Sequence, residues 1–443
     1  MSNRASDWFL DVFTAEAERI IEKLKESTAS RLHKTPTYWW VNGVPNPPKT
    51  YEVAAVDGGA AIQPLLNGGA IYVVRAYGHH PSLEPERMLE MKILPVRDSR
   101  ILDALRIIIE HQTASRLALR VKSNTLLLMD GSLWTIIVNC LKRVYRLALN
   151  RVESLGSLYL SLYSLEALVA LSDFLSVTSR RGINVVYVSK DHSFRVVKEK
   201  VLLELVAESA KELREIILSS LQYYPIPDRM KLLRLRKAVP PHLQQVYDAA
   251  IDLSYRDTAF IQDAVGLSIG YTWPLTIPPP IQLHANIISR GGVRWLIEAA
   301  CENALELLDG EDVGVCYDAS RLVKALESLP RIKGVYVRFA MDDNPLLIEV
   351  PENPGDFYAT GRVFLEPDER LEFILSVLAG EYEGPLYYNV PLIIAHMNAT
   401  IQSSQLNNYM KLLEALAAAR GVILPLARRT RIHSALKRRW RRR

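Results

Sequence analysis

The sequence predicts an α/β fold: a mixed five-stranded sheet with helical insertions. Three observations carry the prediction. Five apolar runs of strand length stand at 52–57, 70–78, 88–96, 125–130 and 182–189, each bounded by Gly or Pro. The first three follow one another closely, whereas the last two are separated by segments with helical apolar spacing. The bulk composition, 49% hydrophobic and 23% charged over 443 residues, is that of an ordinary globular chain.

Taken in order, MSNRASDWFLDVFTAEAERIIEKLKEST reads as an amphipathic helix with acids throughout, followed by the Pro- and aromatic-rich arm HKTPTYWWVNGVPNPPKT. The strands EVAAVD, AIYVVRAYG and MLEMKILPV come next and suit an antiparallel meander. DSRILDALRIIIEHQTASRLALR places Ile101, Leu102, Leu105, Ile108 and Ile109 at helical spacing, with Asp98 or Ser99 as N-cap. TLLLMDGS is a fourth strand, 133–180 is Leu-rich and helical, and GINVVYVSKD is a fifth strand. Strands joined through helices pair in parallel, so the order β-β-β-α-β-α-β is the ribonuclease H-like one. A charged helical insertion occupies about 197–256. A second β-containing part begins near 257 with DTAFIQDAV and LSIGYTWPLTIPPPI, continues through the hairpin KGVYVRFAMDDNPLLIEVP, and ends in one helix over about 391–420.

Charge and cysteine usage narrow the function classes. The formal charge is +5, but residues 428–443 hold nine of the 54 basic residues and no acid, so the remainder is acidic by four charges. The body is therefore no general nucleic-acid sponge, and the terminal tail suits phosphate contacts. Cys140, Cys301 and Cys316 show no CxxC or His pairing, which argues against zinc and against a disulfide framework. The longest apolar runs fall short of a membrane span, and the N-terminus lacks a signal-peptide pattern, so a cytoplasmic location with no membrane partner is expected.

The chemistry centres on acids at strand ends. In VAAVDGG, Asp57 closes the first strand; in LLLMDGS, Asp130 closes the fourth. First and fourth strands are parallel neighbours in this order, so both acids reach one sheet edge. Glu110 on the intervening helix is the preferred third acid, with Asp103 and Glu90 as open competitors. Carboxylates converging in this way repel unless a cation joins them, and oxygen donors suit magnesium or manganese. Two such ions activate water and stabilise a leaving oxygen of a phosphodiester. Taken singly, each DG pair reads first as a turn, its commonest use; the two together on adjacent parallel strands favour the site. Lys190 in VSKD is placed to meet a phosphate, and Asp191 to cap a helix or bind metal. In YYNVPLIIAHMNAT, Tyr388 precedes His396 by eight residues, with Pro391 at a helix start. A lone His on an apolar helix is commonly a core residue, yet Asn398, Thr400 and Gln402 place polar groups beside it. Imidazole added to carboxylates favours manganese over magnesium.

These motifs (AVDGG, LLLMDGS, VVYVSKD, VYVRF with LLIEVP, and Y-x-x-P-L-x-x-A-H at 388–396) resemble those of the archaeal NurA nucleases over about residues 50–400. The resemblance implies a ribonuclease H-like core and manganese-dependent activity on single- and double-stranded DNA. It also implies a homodimer and a HerA-type hexameric ATPase partner in DNA end processing. By position, Asp57, Glu110 and Asp130 correspond to the metal carboxylates, and Tyr388 and His396 to the rest of the active site. The first motif reads DGG where DGS is the usual form. The expected organisation is an N-terminal helix and arm over 1–44, a nuclease domain over 45–427 with its helical insertion, and a basic tail over 428–443. The expected function is a metal-dependent deoxyribonuclease with Asp57, Glu110, Asp130 and His396 as metal ligands. Tyr388 would orient water or stack on a base. The competing readings are a sugar-kinase or actin-like ATPase and a catalytically silent DNA clamp or scaffold.

Overall fold

Val53, Ala54, Ala55 and Val56 are all buried, so the first long strand is covered on both faces from its start. In the computed structural model, which describes residues 13–14, 16–22, 36–190, 194–221, 229–277, 286–308, 313–352, 364–385 and 388–427, that strand is β2 (Val53–Pro64). It lies within a mixed sheet of ten described strands. β3 (Ala70–His79) and β4 (Glu86–Leu94) continue it as an antiparallel meander. After α1 (Arg100–Ala118), β5 (Leu126–Asp130) pairs with β2 in parallel. Helices α2 (Leu133–Ala148) and α3 (Leu155–Arg181) lead to β6 (Asn184–Ser189), parallel to β5.

The expected five-stranded sheet is thus only part of the observed one. Beyond β6 come β10 (Leu346–Glu352), β9 (Arg331–Arg338), β7 (Gly270–Thr272) and β1 (Trp40–Asn42), with β8 (Leu275–Ile277) also on β9. The apolar hairpin β9–β10 cannot bury both faces alone, so it adds antiparallel to β6. Helices α4 (Val196–Ser209), α5 (Arg214–Leu221), α6 (Arg229–Leu235), α7 (Gln244–Ile251) and α8 (Asp257–Val265) follow β6. DTAFIQDAV is therefore a helix, not part of a β region: Phe260 and Ile261, buried beside Trp39, anchor one helical face.

Helices cover both faces of the sheet. α1 and α3 pack with the inner residues Tyr72, Val74 and Ala76 of β3, and Ala300 and Leu322 join them from α9 (Gly292–Leu307) and α10 (Ala319–Glu327). α3 is long and apolar enough to cross a bilayer, but 61% of its most apolar stretch is buried in this core. On the other face, α11 (Glu369–Gly380) and α12 (Val390–Ala399) bury Ile374, Leu392 and Ala395 against Ala55, Leu128 and Ile348. The single terminal helix expected over 391–420 is two helices, α12 and α13 (Ser403–Ala418), broken at Thr400–Gln402. Cys301 and Cys316 form a disulfide, against the reading from their spacing, because α9 brings their Cα atoms to 5.5 Å across 15 residues. The basic tail, Asp191 and most of the N-terminal helix lie outside the described residues.

One buried carboxylate ties the added hairpin to the first sheet half. Glu349 of β10 is fully buried, and its oxygens accept from Ser132 Oγ at 2.8 Å and Trp134 N at 3.0 Å, at the start of α2. Burial pushes its carboxyl up to about 7 despite these donors. The folded state therefore binds this proton more tightly than the unfolded chain, and stability falls as pH rises from about 4.5 to 7. The whole loss is present above 7 and amounts to roughly 3 kcal/mol. Relative to Glu349→Gln, the wild-type urea midpoint is expected to fall between pH 5 and pH 8; parallel midpoints contradict this.

Candidate metal and nuclease site

The parallel pairing of β2 with β5 ends at Val56 opposite Met129. The next residues, Asp57 and Asp130, stand side by side where the two strands part. Ala55 and Leu128 bury towards α12, and the two-residue period of a strand puts Asp57 and Asp130 on that same face. Asn389 caps α12 by accepting from Leu392 N at 3.3 Å, and Leu392, Ala395 and Ala399 bury its inner side. This holds His396 over the strand ends, with Nδ1 2.6 Å from Asp57 Oδ2. His396 is no core residue: its side chain is 61% exposed, whereas that of Asp57 beneath it is 3% exposed. Burial and the charge of Asp130 raise the Asp57 carboxyl, while the Gly58 N–H (2.7 Å) and His396 oppose the rise. Ligand atoms of Asp57, Asp130 and His396 all lie within 4.8 Å of one another. Two carboxylates and one imidazole in that space suit a divalent cation.

Both glycines after Asp57 are required by close approach. A Cβ on Gly58 would sit 2.7 Å from Glu110 Cγ and 2.9 Å from Arg106 Cγ, on the α1 side. A Cβ on Gly59 would collide with the Ala399 carbonyl, whose carbon is 2.7 Å away, on the α12 side. The bare strand thus lets a helix touch it from each face. Arg75, the cross-strand partner of Gly59, completes the second contact. Its guanidinium donates to Ala399 O at 2.8 Å, Thr400 O at 2.7 Å, Gln405 Oε1 at 3.2 Å and Tyr409 Oη at 3.0 Å. Those carbonyls are the open end of α12, where a cation is favoured by the helix dipole.

Glu110 reaches the site from the opposite face. It is 4% exposed and pairs with Arg106 at 2.9 Å. Burial raises its carboxyl to about 7, Arg106 opposes the rise, and Asp57 and Asp130 add to it. Of the competitors, Asp103 is exposed and Glu90 pairs with Lys92 at 3.3 Å on β4. Glu110 is near enough to feel both aspartates, yet its carboxylate is not in the cluster of ligand atoms. Tyr388 donates its hydroxyl to Asp130 Oδ1 at 3.2 Å, and burial followed by the Asp130 charge pushes that phenol far up, so it stays protonated. Lys190 Nζ lies 3.6 Å from Asp130 Oδ1 and 4.1 Å from the centre of the Tyr388 ring.

All six candidates therefore gather at one sheet edge: Asp57, Asp130 and His396 in contact range, Glu110 behind Gly58, and Tyr388 with Lys190 flanking Asp130. Arg106 and Arg75 were missed by sequence reasoning. Arg106 stands four residues before Glu110, a spacing that could have marked it as a helix ion pair. Nothing local marks Arg75, whose partners are more than 320 residues away.

The profile of the NurA domain matches residues 51–401. A search of curated proteins gives no match. Among solved structures, the NurA nuclease from Sulfolobus solfataricus is 14% identical with a TM-score of 0.49, covering 93% of this chain and 98% of its own. A NurA crystallised with manganese is 16% identical (TM-score 0.43, 91% and 98% covered). A NurA bound to dAMP and manganese is 16% identical (TM-score 0.42, 90% and 95% covered).

Gly59→Ala is expected to lower stability by about 2–4 kcal/mol through displacement of α12, and Arg75→Ala by about 2–3 kcal/mol through loss of four hydrogen bonds. Gly314→Ala, where a Cβ meets nothing within 4 Å, serves as control and should change it by no more than about 0.5 kcal/mol. Denaturant titrations of the three variants check this, and equal midpoints would contradict the clamp.

Proposed function

The chain belongs to the NurA family, and we propose that it is a manganese-dependent deoxyribonuclease, with magnesium as the alternative metal. It hydrolyses phosphodiester bonds of single- and double-stranded DNA as an exonuclease, with endonuclease activity as its second mode. The observation that carries this reading is the convergence of Asp57, Asp130 and His396, from three separate elements, to within 4.8 Å. In this reading Asp57, Asp130 and His396 hold the ion and Glu110 completes its carboxylate set. A divalent ion there supplies a Lewis acid that activates water and neutralises charge developing on the phosphodiester. The chain's own groups do the remainder. Tyr388 holds Asp130 through its hydroxyl hydrogen bond, which is the role its geometry supports over base stacking. Lys190 presents an ammonium beside Asp130, where it meets a phosphate oxygen of the bound strand. Arg106 pairs with Glu110 at 2.9 Å and balances its charge. His396, exposed above buried Asp57, leaves the mouth of the site open to a strand end.

The wider reading follows the resemblance. The strand order β4-β3-β2-β5-β6 is the ribonuclease H-like half of the larger sheet. The proposed organisation is an N-terminal helix and arm over 1–44, whose end Trp40–Asn42 joins the sheet as β1, a nuclease domain over 45–427 with its insertion at 197–256, and a basic tail over 428–443 that suits phosphate contacts. The protein acts in the cytoplasm as a homodimer with a HerA-type hexameric ATPase in DNA end resection and double-strand break repair.

Asp57→Asn and Asp130→Asn are expected to cut manganese-dependent hydrolysis of end-labelled DNA by more than about 100-fold, beyond the effect typical of outer-sphere partners. Lys190→Ala should cost about 10-fold, chiefly in KM. Unchanged cleavage by folded Asp57→Asn protein would sink the assignment, and tight ATP binding without cleavage would favour the kinase-like alternative.

A further inference from the structure

α12 carries His396 over the strand ends, but packing alone does not lock its ring, because the side chain is 61% exposed. An imidazole with that freedom turns about its Cβ–Cγ bond, exchanging a nitrogen for a carbon on the side that faces the site. Hydrogen bonds must therefore choose the orientation. Among the described residues the ring has two such partners, Asp57 on Nδ1 at 2.6 Å and Thr400 on Nε2 at 3.4 Å.

Thr400 is itself fixed. It follows the last residue of α12, its N–H donates to His396 O at 2.9 Å, and Arg75 donates to its carbonyl at 2.7 Å. Its hydroxyl donates to the same His396 O at 2.8 Å. A hydroxyl has one hydrogen and a carbonyl oxygen can only accept, so that hydrogen is committed and Oγ1 turns a lone pair towards Nε2. Nε2 must then carry its own hydrogen and donate it. The nitrogen left for an ion is Nδ1, the one directed at Asp57.

We propose that Thr400 is a positioning residue for the metal centre: by accepting from Nε2 it fixes the His396 ring with Nδ1 towards the ion, and so sets the preference for manganese over magnesium. This role rests on the reading of His396 as an ion ligand. Ligating histidines are characteristically oriented through the nitrogen that does not bind the metal. A nitrogen donor suits manganese better than magnesium, which carboxylate and water oxygens satisfy. A ring free to turn presents carbon to the site for part of the time, which weakens manganese and leaves magnesium to the carboxylates.

The test measures metal binding by the full metal-free chain, without DNA and at one pH. The electron paramagnetic resonance signal of free manganese reports the affinity, with magnesium as competitor, and circular dichroism confirms the fold of each variant. Thr400→Val keeps the β-branched shape and removes the hydroxyl. It should weaken manganese about 10-fold, the low end for an outer partner because the 3.4 Å contact is long, and magnesium by less than about 3-fold. Thr400→Ser keeps the oxygen and should bind manganese within about 3-fold of the wild type. In a His396→Gln background, Thr400→Val should add nothing, since the ring it positions is gone. Wild-type manganese affinity in Thr400→Val, equal weakening of both ions, or a loss that persists beside His396→Gln overturns the role of Thr400. Wild-type manganese affinity in His396→Gln instead overturns the reading of His396 as a ligand, and the role of Thr400 with it.

Discussion

Everything at the site depends on placing the Asp57 carboxylate, almost wholly buried, beside Asp130 at the end of a parallel strand pair. Two carboxylates so close, one of them withdrawn from water, are costly without compensation. The chain provides three kinds. The Gly58 N–H and the His396 ring bond Asp57 directly. Tyr388 and Lys190 face Asp130. Arg106 approaches from the far side of the sheet and is itself held charged by Glu110, with smaller contributions from Asp57 and Asp103. The arrangement is short of positive charge near the strand ends themselves, which is what a divalent ion provides.

That constraint explains features that otherwise look unrelated. The strand must be bare at 58 and 59 because a helix presses on each face, α1 bringing Glu110 and α12 bringing His396. The C-terminal helical region breaks at Thr400–Gln402, and Arg75 satisfies the Ala399 and Thr400 carbonyls there. Gly59, the second glycine of the DGG motif, thus belongs with the Ala399 contact. The added β9–β10 hairpin matters to the site as well, since Glu349 anchors the start of α2 two residues beyond Gly131.

Much of this was legible in the sequence where the signal is local. Strand runs ending in DG, and the helix between them, place Asp57, Glu110 and Asp130 on neighbouring elements, and the structure brings them to one edge. The Tyr388–His396 pair was legible through its motif, and its exposure corrects the expectation from helix composition alone. Interactions spanning hundreds of residues were not legible: Arg75 with Ala399, Glu349 with Ser132, and the growth of the sheet from five strands to ten. The Cys301–Cys316 bridge belongs here too, because 15-residue spacing has no signature and only the packing of α9 brings the sulfurs together. DTAFIQDAV was misread because a nine-residue amphipathic stretch is ambiguous between strand and helix until its neighbours are known.

The central claim is that Asp57, Asp130 and His396 hold one divalent cation in common. Crystals grown with manganese, measured at a wavelength where manganese scatters anomalously, test it most directly. The account predicts an anomalous peak bounded by Asp57, Asp130 and His396, and its loss in Asp57→Asn crystals. Ordered crystals with no peak between these residues, or with manganese held elsewhere while Asp57 and His396 remain paired, would contradict it.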